Sequence, residues 1–241
     1  MKSQILTLAL LGQTNAWWGN GHLLVARVAY ELLDQQTIDQ VEDILSVLKK
    51  SDPSWTHLEG DHPFVECVTF ADDIKYKGGS YQSGWHFIDT PFLDEGGDVS
   101  DFPDFKIDDH TVSEAIQSIT DWINKENDFT SNYEYQQIMS HGIKGHTEAD
   151  GLSTAMRLLM HYTGDVHQPL HATSRLNNEY PAGDRGGNSF PVPSIDGAKN
   201  LHSVWDSVVY AEATDYKLVS KNLFSSHFVA TFFPRLDLSF Q

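Results

Sequence analysis

The chain has 241 residues, 40% hydrophobic and 12% aromatic, which is enough for one domain with a sizeable core and too apolar for a disordered polymer. Its formal net charge of −18 argues against nucleic-acid binding by bulk electrostatics, although a bound cation reverses the sign locally. A single cysteine, Cys67, excludes an intramolecular disulfide.

Residues 1–16 read as a secretory signal peptide. Lys2 gives a positive start, Ile5 to Leu11 an apolar run broken by Thr7, and Thr14 and Ala16 the small residues of a cleavage site. The run is too short to span a membrane, and no membrane anchor is expected elsewhere. Cleavage behind Ala16 would leave residues 17–241 as one domain. Leu24, Val25, Val28 and Leu32 then recur at helical spacing. Thr37-Ile-Asp-Gln40 reads as a capping box opening a second helix, whose apolar face is Ile38, Val41, Ile44, Leu45 and Leu48 and whose end is Asp52-Pro53.

After a loop over 51–63, a helix is expected from Cys67 to Lys75 and a turn from Lys77 to Ser80. Trp85 to Pro91 alternates ligand-type and apolar residues, and Asp94 to Asp109 reads as a solvated acidic loop. Thr111-Val-Ser-Glu114 is a second capping box, leading a helix with a buried stripe of Ile116, Ile119, Trp122 and Ile123. A central helix is expected from Glu148 to Thr163, with Leu152, Ala155, Met156, Leu159 and Thr163 as its core stripe. Residues 172–200, rich in Gly and Pro, read as a long loop. Helices are expected over 203–214 and around Phe224, Phe228, Phe232 and Phe233. Strand signals are few and no repeat is visible, so the class is mostly α.

The chemistry concentrates in Arg157 to His171. His161 and Asp165 are four apart, one helical turn, so an imidazole and a carboxylate share a face and can reach one ion. The pattern recurs at His202 and Asp206, and His171 adds a third imidazole just past Gln168-Pro169. One such pair is matched by many solvated surface helices; two pairs joined by a further His are much less common.

The full set of ligand types is Trp17 (through its backbone), His22, Asp72, His86, His161, Asp165, His171, His202 and Asp206. In this order and spacing, with Phe-Ala-Asp72-Asp-Ile-Lys75, His86-Phe-Ile-Asp89 and Gly186-Gly-Asn188, the chain resembles the class I single-strand-specific zinc nucleases of fungi and plants, which also act as 3′-nucleotidases. The resemblance implies a single helical domain with a cleft holding three zinc ions. It would give one zinc Asp72, His86, His161 and Asp165. A second would take the free amine and carbonyl of Trp17, His22 and the shared Asp165, and a third His171, His202 and Asp206. It implies hydrolysis of single-stranded DNA and RNA to 5′-nucleotides, with activity on 3′-nucleotides, by a secreted or lumenal monomer. Lys75 stands where the family commonly carries an arginine that stabilises the transition state, with Asp89 orienting that cation. Phe87 would stack the base and Asn188 would help hold it. The missing disulfides, and an end soon after Asp206, depart from the family pattern. Two rivals remain: a bacterial-type zinc phospholipase C, which shares the fold and zinc arrangement but typically has glutamate at the position of Asp206, and a secreted zinc-binding protein without catalysis. His57, His62, His110, His141, His146, His167 and His227 match no ligand position.

Overall fold

The structure is a computed structural model and describes residues 17–141, 147–195 and 197–207. The expected signal segment, the end of the 203–214 helix, the Phe-rich final helix, His146 and His227 lie outside these residues. The described chain is mostly helical, as expected: α1 (Gly19–Leu32), α2 (Gln35–Ser51), α3 (Pro63–Glu66), α4 (Phe70–Ile74), α5 (Val112–Asn124), α6 (Tyr133–His141), α7 (Glu148–Asp165) and α8 (Leu201–Ser207). Four short strands complete it: β1 (Thr90–Phe92), β2 (Thr173–Arg175), β3 (Pro191–Ile195) and β4 (Ala198–Asn200). No described helix is long and apolar enough to cross a membrane.

Helix α7 is the axis. Thr147 and Asp150 close a capping box at its start, and α1, α2, α4, α5 and α6 pack around it. Two apolar clusters flank it. Phe70, Ile74, Trp85, Ile119, Trp122, Ile138, Leu158 and Tyr162 fill the side toward α4–α6. Leu23, Ile38, Leu45, Phe64, Val65 and Met156 fill the side toward α1–α3. Because α7 is enclosed nearly all round, the expected stripe is only part of its buried surface, and Thr163 at the end of that stripe is exposed. Ser153, Thr154 and Arg157 are buried instead, and hydrogen bonding makes that tolerable. Arg157 meets Glu59 with two parallel bonds of 2.6 and 2.7 Å and also donates to Leu45 O at 2.9 Å. That fork ties the 51–63 loop and the end of α2 onto α7.

Two other helix expectations shift. The α2 N-cap is Asp34, whose carboxylate accepts from Thr37 N at 2.8 Å, so Thr37 lies inside the helix rather than capping it. On α1 the deepest residues are Leu23, His22 and Asn20, while Leu32 is 58% exposed. The Thr111–Glu114 capping box on α5 forms as expected; in the stripe behind it Ile119 and Trp122 are buried, and Ile116 and Ile123 are half-buried.

Residues 172–200 are not a plain loop. β1 and β2 pair in parallel, Thr90 opposite Thr173, and β3 and β4 form an antiparallel pair. The first pair sets the chain after His86 beside the chain after His171; Ile88 N donates to His171 O at 2.8 Å. The second pair runs directly into α8, whose first turn is anchored by Ser203 N donating to Asn200 Oδ1 at 2.7 Å. These two pairings carry segments distant in sequence to the C-terminal end of α7.

Candidate metal centre

His161 and Asp165 lie on the last turns of α7, fully buried. His22 reaches them from α1, Asp72 from α4, His86 from the end of a 3-10 turn over Ser80–His86, His171 from one over Pro169–His171, and His202 and Asp206 from α8. All except Asp72 are at most 1% exposed. They form three groups whose ligand atoms lie within 4.8 Å of one another: His22, His161 and Asp165; Asp72, His86 and His161; and His171, His202 and Asp206.

Hydrogen bonds fix the tautomers of His86, His161, His171 and His202. His161 Nδ1 donates to Val68 O at 2.5 Å, His171 Nδ1 to His86 O at 2.8 Å and His202 Nδ1 to Gly186 O at 2.7 Å. In each of these, Nε2 is left as a bare lone pair. For His86 the roles reverse. Gln82 gives its amide to Ala71 O and takes Tyr162 O–H on its oxygen, so His86 Nε2 must donate to Gln82 Oε1, at 2.7 Å. Its Nδ1 is then bare.

These bare nitrogens face one another and a carboxylate. His171 Nε2 and His202 Nε2 are 3.1 Å apart, and His86 Nδ1 lies 3.2 Å from His161 Nε2 and 2.8 Å from Asp165 Oδ2. His22, stacked on His161 at 3.8 Å, has no hydrogen bond at either ring nitrogen, and Asp165 Oδ1 has none either. Buried acceptors opposed at these distances repel unless a cation or proton lies between them. A proton is disfavoured at the rings. Burial pulls His22 and His202 down to about 4, and holds His86, His161 and His171 well below the ordinary imidazole value. Burial also pushes Asp165 well above the usual carboxylate range and Asp206 up to about 8. A divalent cation resolves every one of these conflicts, and borderline zinc suits imidazole and carboxylate donors alike.

Close packing seats the ligands. An added Cβ on Gly164 would sit 2.4 Å from His22 Nδ1. Gly186 has φ +60°, and a Cβ there would lie 2.0 Å from Leu170 O. Trp17 donates its indole N–H to Gly164 O at 3.1 Å, and Trp18 N donates to Asp206 O at 3.0 Å, so the start of the described chain lies against the centre. Gln168 donates to Asp206 Oδ1 at 2.7 Å while accepting from Leu170 N at 2.6 Å. Gln82, Gln168 and Gly164 are thus supporting residues that the sequence reading passed over. The available signal was Gln82 four residues before His86 and Gln168 inside the ligand-bearing stretch.

The remaining expected residues surround this cluster. Lys75 Nζ donates to Asp72 Oδ1 at 2.8 Å. The electrostatic neighbours of Asp89 in this arrangement are Asp108, Asp184 and Arg185. Burial first, then the two aspartates, raise it to about 6 against the pull of Arg185. Phe87 is half-buried and stacks on His171, ring centres 4.4 Å apart. Asn188 gives its amide to Arg185 O at 2.8 Å, which directs Oδ1 elsewhere. His167 is exposed and bonds within its own turn to Thr163 O.

Comparison with known proteins agrees with this arrangement. Residues 17–232 match the model of the S1/P1 Nuclease family. Endonuclease 1 of Arabidopsis thaliana is 28% identical over 217 residues, covering 87% of this chain and 59% of that protein. Nuclease S1 of Aspergillus oryzae is 27% identical, covering 86% and 59%, and Nuclease P1 of Penicillium citrinum 24%, covering 79% and 57%. The chain therefore spans about three-fifths of the length of these relatives. A family match that begins at Trp17 and takes in every residue of the buried cluster leaves one assignment: the chain belongs to the S1/P1 nuclease family.

Proposed function

We propose that this chain is a zinc-dependent endonuclease that hydrolyses the phosphodiester bonds of single-stranded DNA and RNA to 5′-nucleotides, and that it also acts on 3′-nucleotides. The observation that carries the reading is the set of bare, mutually opposed imidazole nitrogens around Asp165. With both rings held neutral by burial, the facing His171 and His202 nitrogens have no proton between them.

Three ions fit the ligand count. Asp72, His86, His161 and Asp165 would hold one, His22, Asp165 and the amine and carbonyl of Trp17 a second, and His171, His202 and Asp206 a third. Zinc bound there supplies Lewis acidity toward phosphoryl oxygens and makes water nucleophilic near neutral pH. The protein's own groups do the rest. The carbonyl-bound Nδ1 atoms of His161, His171 and His202, and Gln82 behind His86, keep the ring lone pairs aimed inward. Once Asp72 is taken up as a ligand, Lys75 is released to face the charge that develops on the phosphoryl group, with Asp89 as its alternative anion. Lysine offers a point charge there rather than an arginine's fork. Phe87 presents an aromatic ring beside His171 for an unpaired base, and Asn188 Oδ1 can accept from that base. Stacking accepts any base and needs one free of its partner, which gives strand selectivity without sequence readout.

Residues 1–16 are proposed as the secretory leader and 17–241 as a single domain, acting as a monomer in a secreted or lumenal compartment. Zinc-loaded protein starting at Trp17 should cleave single-stranded DNA and RNA much faster than duplex. Turnover of phosphatidylcholine instead would identify a phospholipase, and full zinc content without turnover of any of these substrates would identify a binding protein.

A further inference from the structure

The groove between α5 and α6 lies outside the metal centre and shares no residue with it. It is a cleft of about 570 Å³, and its lining carries four carboxylates, Asp109, Glu114, Asp121 and Glu134, with no lysine or arginine. Glu114 is already used in the α5 capping box, and Asp121 Oδ1 accepts from Gln117 and Asn127. Glu134 is different. It is 4% exposed, and its Oε1 has no hydrogen-bond partner; His110 Nδ1 is 3.3 Å away but not aligned to donate. Ser118, 5% exposed in the same lining, also has an unpartnered hydroxyl. One wall is aromatic: the rings of His110 and Tyr133 stack 3.6 Å apart.

Two buried polar atoms without partners in one cleft are costly to the fold unless something fills the cleft and bonds to them. The occupant must bring N–H donors and positive charge, because the unpaired groups are a carboxylate and a hydroxyl beside further carboxylates. An aromatic wall suits a delocalised or alkylated cation. A bare metal ion fits poorly: among the described residues, the groups with ligand atoms close enough for one all belong to the centre beside α7.

We propose that the α5–α6 cleft binds a guanidinium or primary ammonium group, with Glu134 and Ser118 as its hydrogen-bonding floor. The cation can come from a free amine or guanidine, or from an arginine or lysine side chain of another protein.

The test is calorimetric titration of the zinc-loaded protein with butylguanidinium and with butylurea, its neutral isostere. Saturable binding of the cation alone is expected. Glu134→Gln should weaken it roughly tenfold or more, the usual effect of losing a charge-assisted bond. Ser118→Ala should weaken it by a smaller factor. Both variants should keep their zinc and melt no lower than the parent, since Ser118→Ala removes an unpaired hydroxyl and Glu134→Gln a buried charge, whereas a purely structural role would lower the melting temperature. A blocked Gly-Arg-Gly peptide distinguishes the sources: tighter binding than butylguanidinium points to a partner's side chain, and weaker binding to a free small molecule. The proposal is overturned if neither cation saturates the protein, if both variants bind like the parent, or if an equal concentration of calcium displaces the guanidinium.

Discussion

Replacing Gly164 with alanine tests how tightly the fold seats the metal ligands. In an ordinary helix this change stabilises by about 1 kcal/mol. Here the new Cβ would lie 2.4 Å from His22 Nδ1 and 3.0 Å from its Cε1, whereas ordinary contact begins near 3.4 Å. The His22 ring must therefore retreat by about 1 Å, while ligand distances tolerate only about 0.2 Å. Gly164→Ala should bind about one zinc fewer per chain and lose on the order of a hundredfold in kcat/KM on single-stranded DNA. In chelator, where His22 has no ligand role, its melting temperature should stay within about 5 °C of the parent, because the helix gain offsets part of the clash. Elemental analysis, steady-state kinetics and thermal melts read the three quantities. Full zinc content with an unchanged rate would show that His22 does not ligate, and the reading of this corner of the centre would fail.

Asp165 lies 2.8 Å from His86, 3.3 Å from His22 and 3.4 Å from His161, whereas Asp206 lies 3.5 Å from His202. Asp165→Asn should therefore cost more activity and more zinc than Asp206→Asn, and equal losses in equally folded variants would contradict a shared role for Asp165. Gln168→Leu removes the donor to Asp206 and should weaken zinc at the His171–His202–Asp206 group by about 10–100-fold in chelator competition, with the other sites retained. Burial puts Asp206 at about 8 and His22 and His202 at about 4, so at pH 7 the metal-free protein holds Asp206 protonated and both rings neutral. Zinc uptake should then release protons and tighten as pH rises toward 8, measured by calorimetry in buffers of different ionisation enthalpy. For the chelated protein the signs oppose: the raised Asp206 favours folding below 3.8 and loses that contribution as pH rises through about 8. The lowered histidines favour folding above 6.5 and lose theirs as pH falls through about 4. Finally, protein beginning at Trp17 should outperform a Met-extended form at equal zinc, because only in the former is the α-amine of Trp17, whose indole already bonds to Gly164 O, free to ligate; equal rates would remove Trp17 from the ligand set.

The parts of the site legible in sequence were those that announce themselves by type and spacing. His161 with Asp165 and His202 with Asp206 need only the helical repeat to share a face, and both pairs meet in the folded protein. The groups that orient them were not legible, because they are main-chain carbonyls of Val68, His86 and Gly186, which carry no residue signature. The surroundings of Asp89 were not legible either: its electrostatic neighbours come from the acidic loop and from residues 184–185, far from it in sequence. The same limit applies to the fold. Apolar spacing identified α2 and α5, where one face is buried, but underestimated α7, which buries polar and apolar residues alike. Strands of three to five residues inside a Gly- and Pro-rich stretch carry too little alternation to be read locally; long-range pairing makes them.

Burial of this centre also accounts for how a protein with a single cysteine holds its segments together. The candidate ligands come from α1, α4, the turn ending at His86, α7, the turn ending at His171 and α8. Hydrophobic packing secures α7 within both apolar clusters and brings α1 and α4 against it. No residue of α8 belongs to either cluster; among the described residues it is held by its β4 junction, by Gln168 and Gly186, and by the backbone bond from Trp18. Without a cation, each unpaired buried group in the centre costs about 1–3 kcal/mol, a large share of the 5–15 kcal/mol that separates a typical domain from its unfolded state. With cations bound, the same groups would become cross-links between segments as distant in sequence as His22 and Asp165. Metal binding would then be linked to folding, and the residues least favourable to the empty protein would tie α8 to the core.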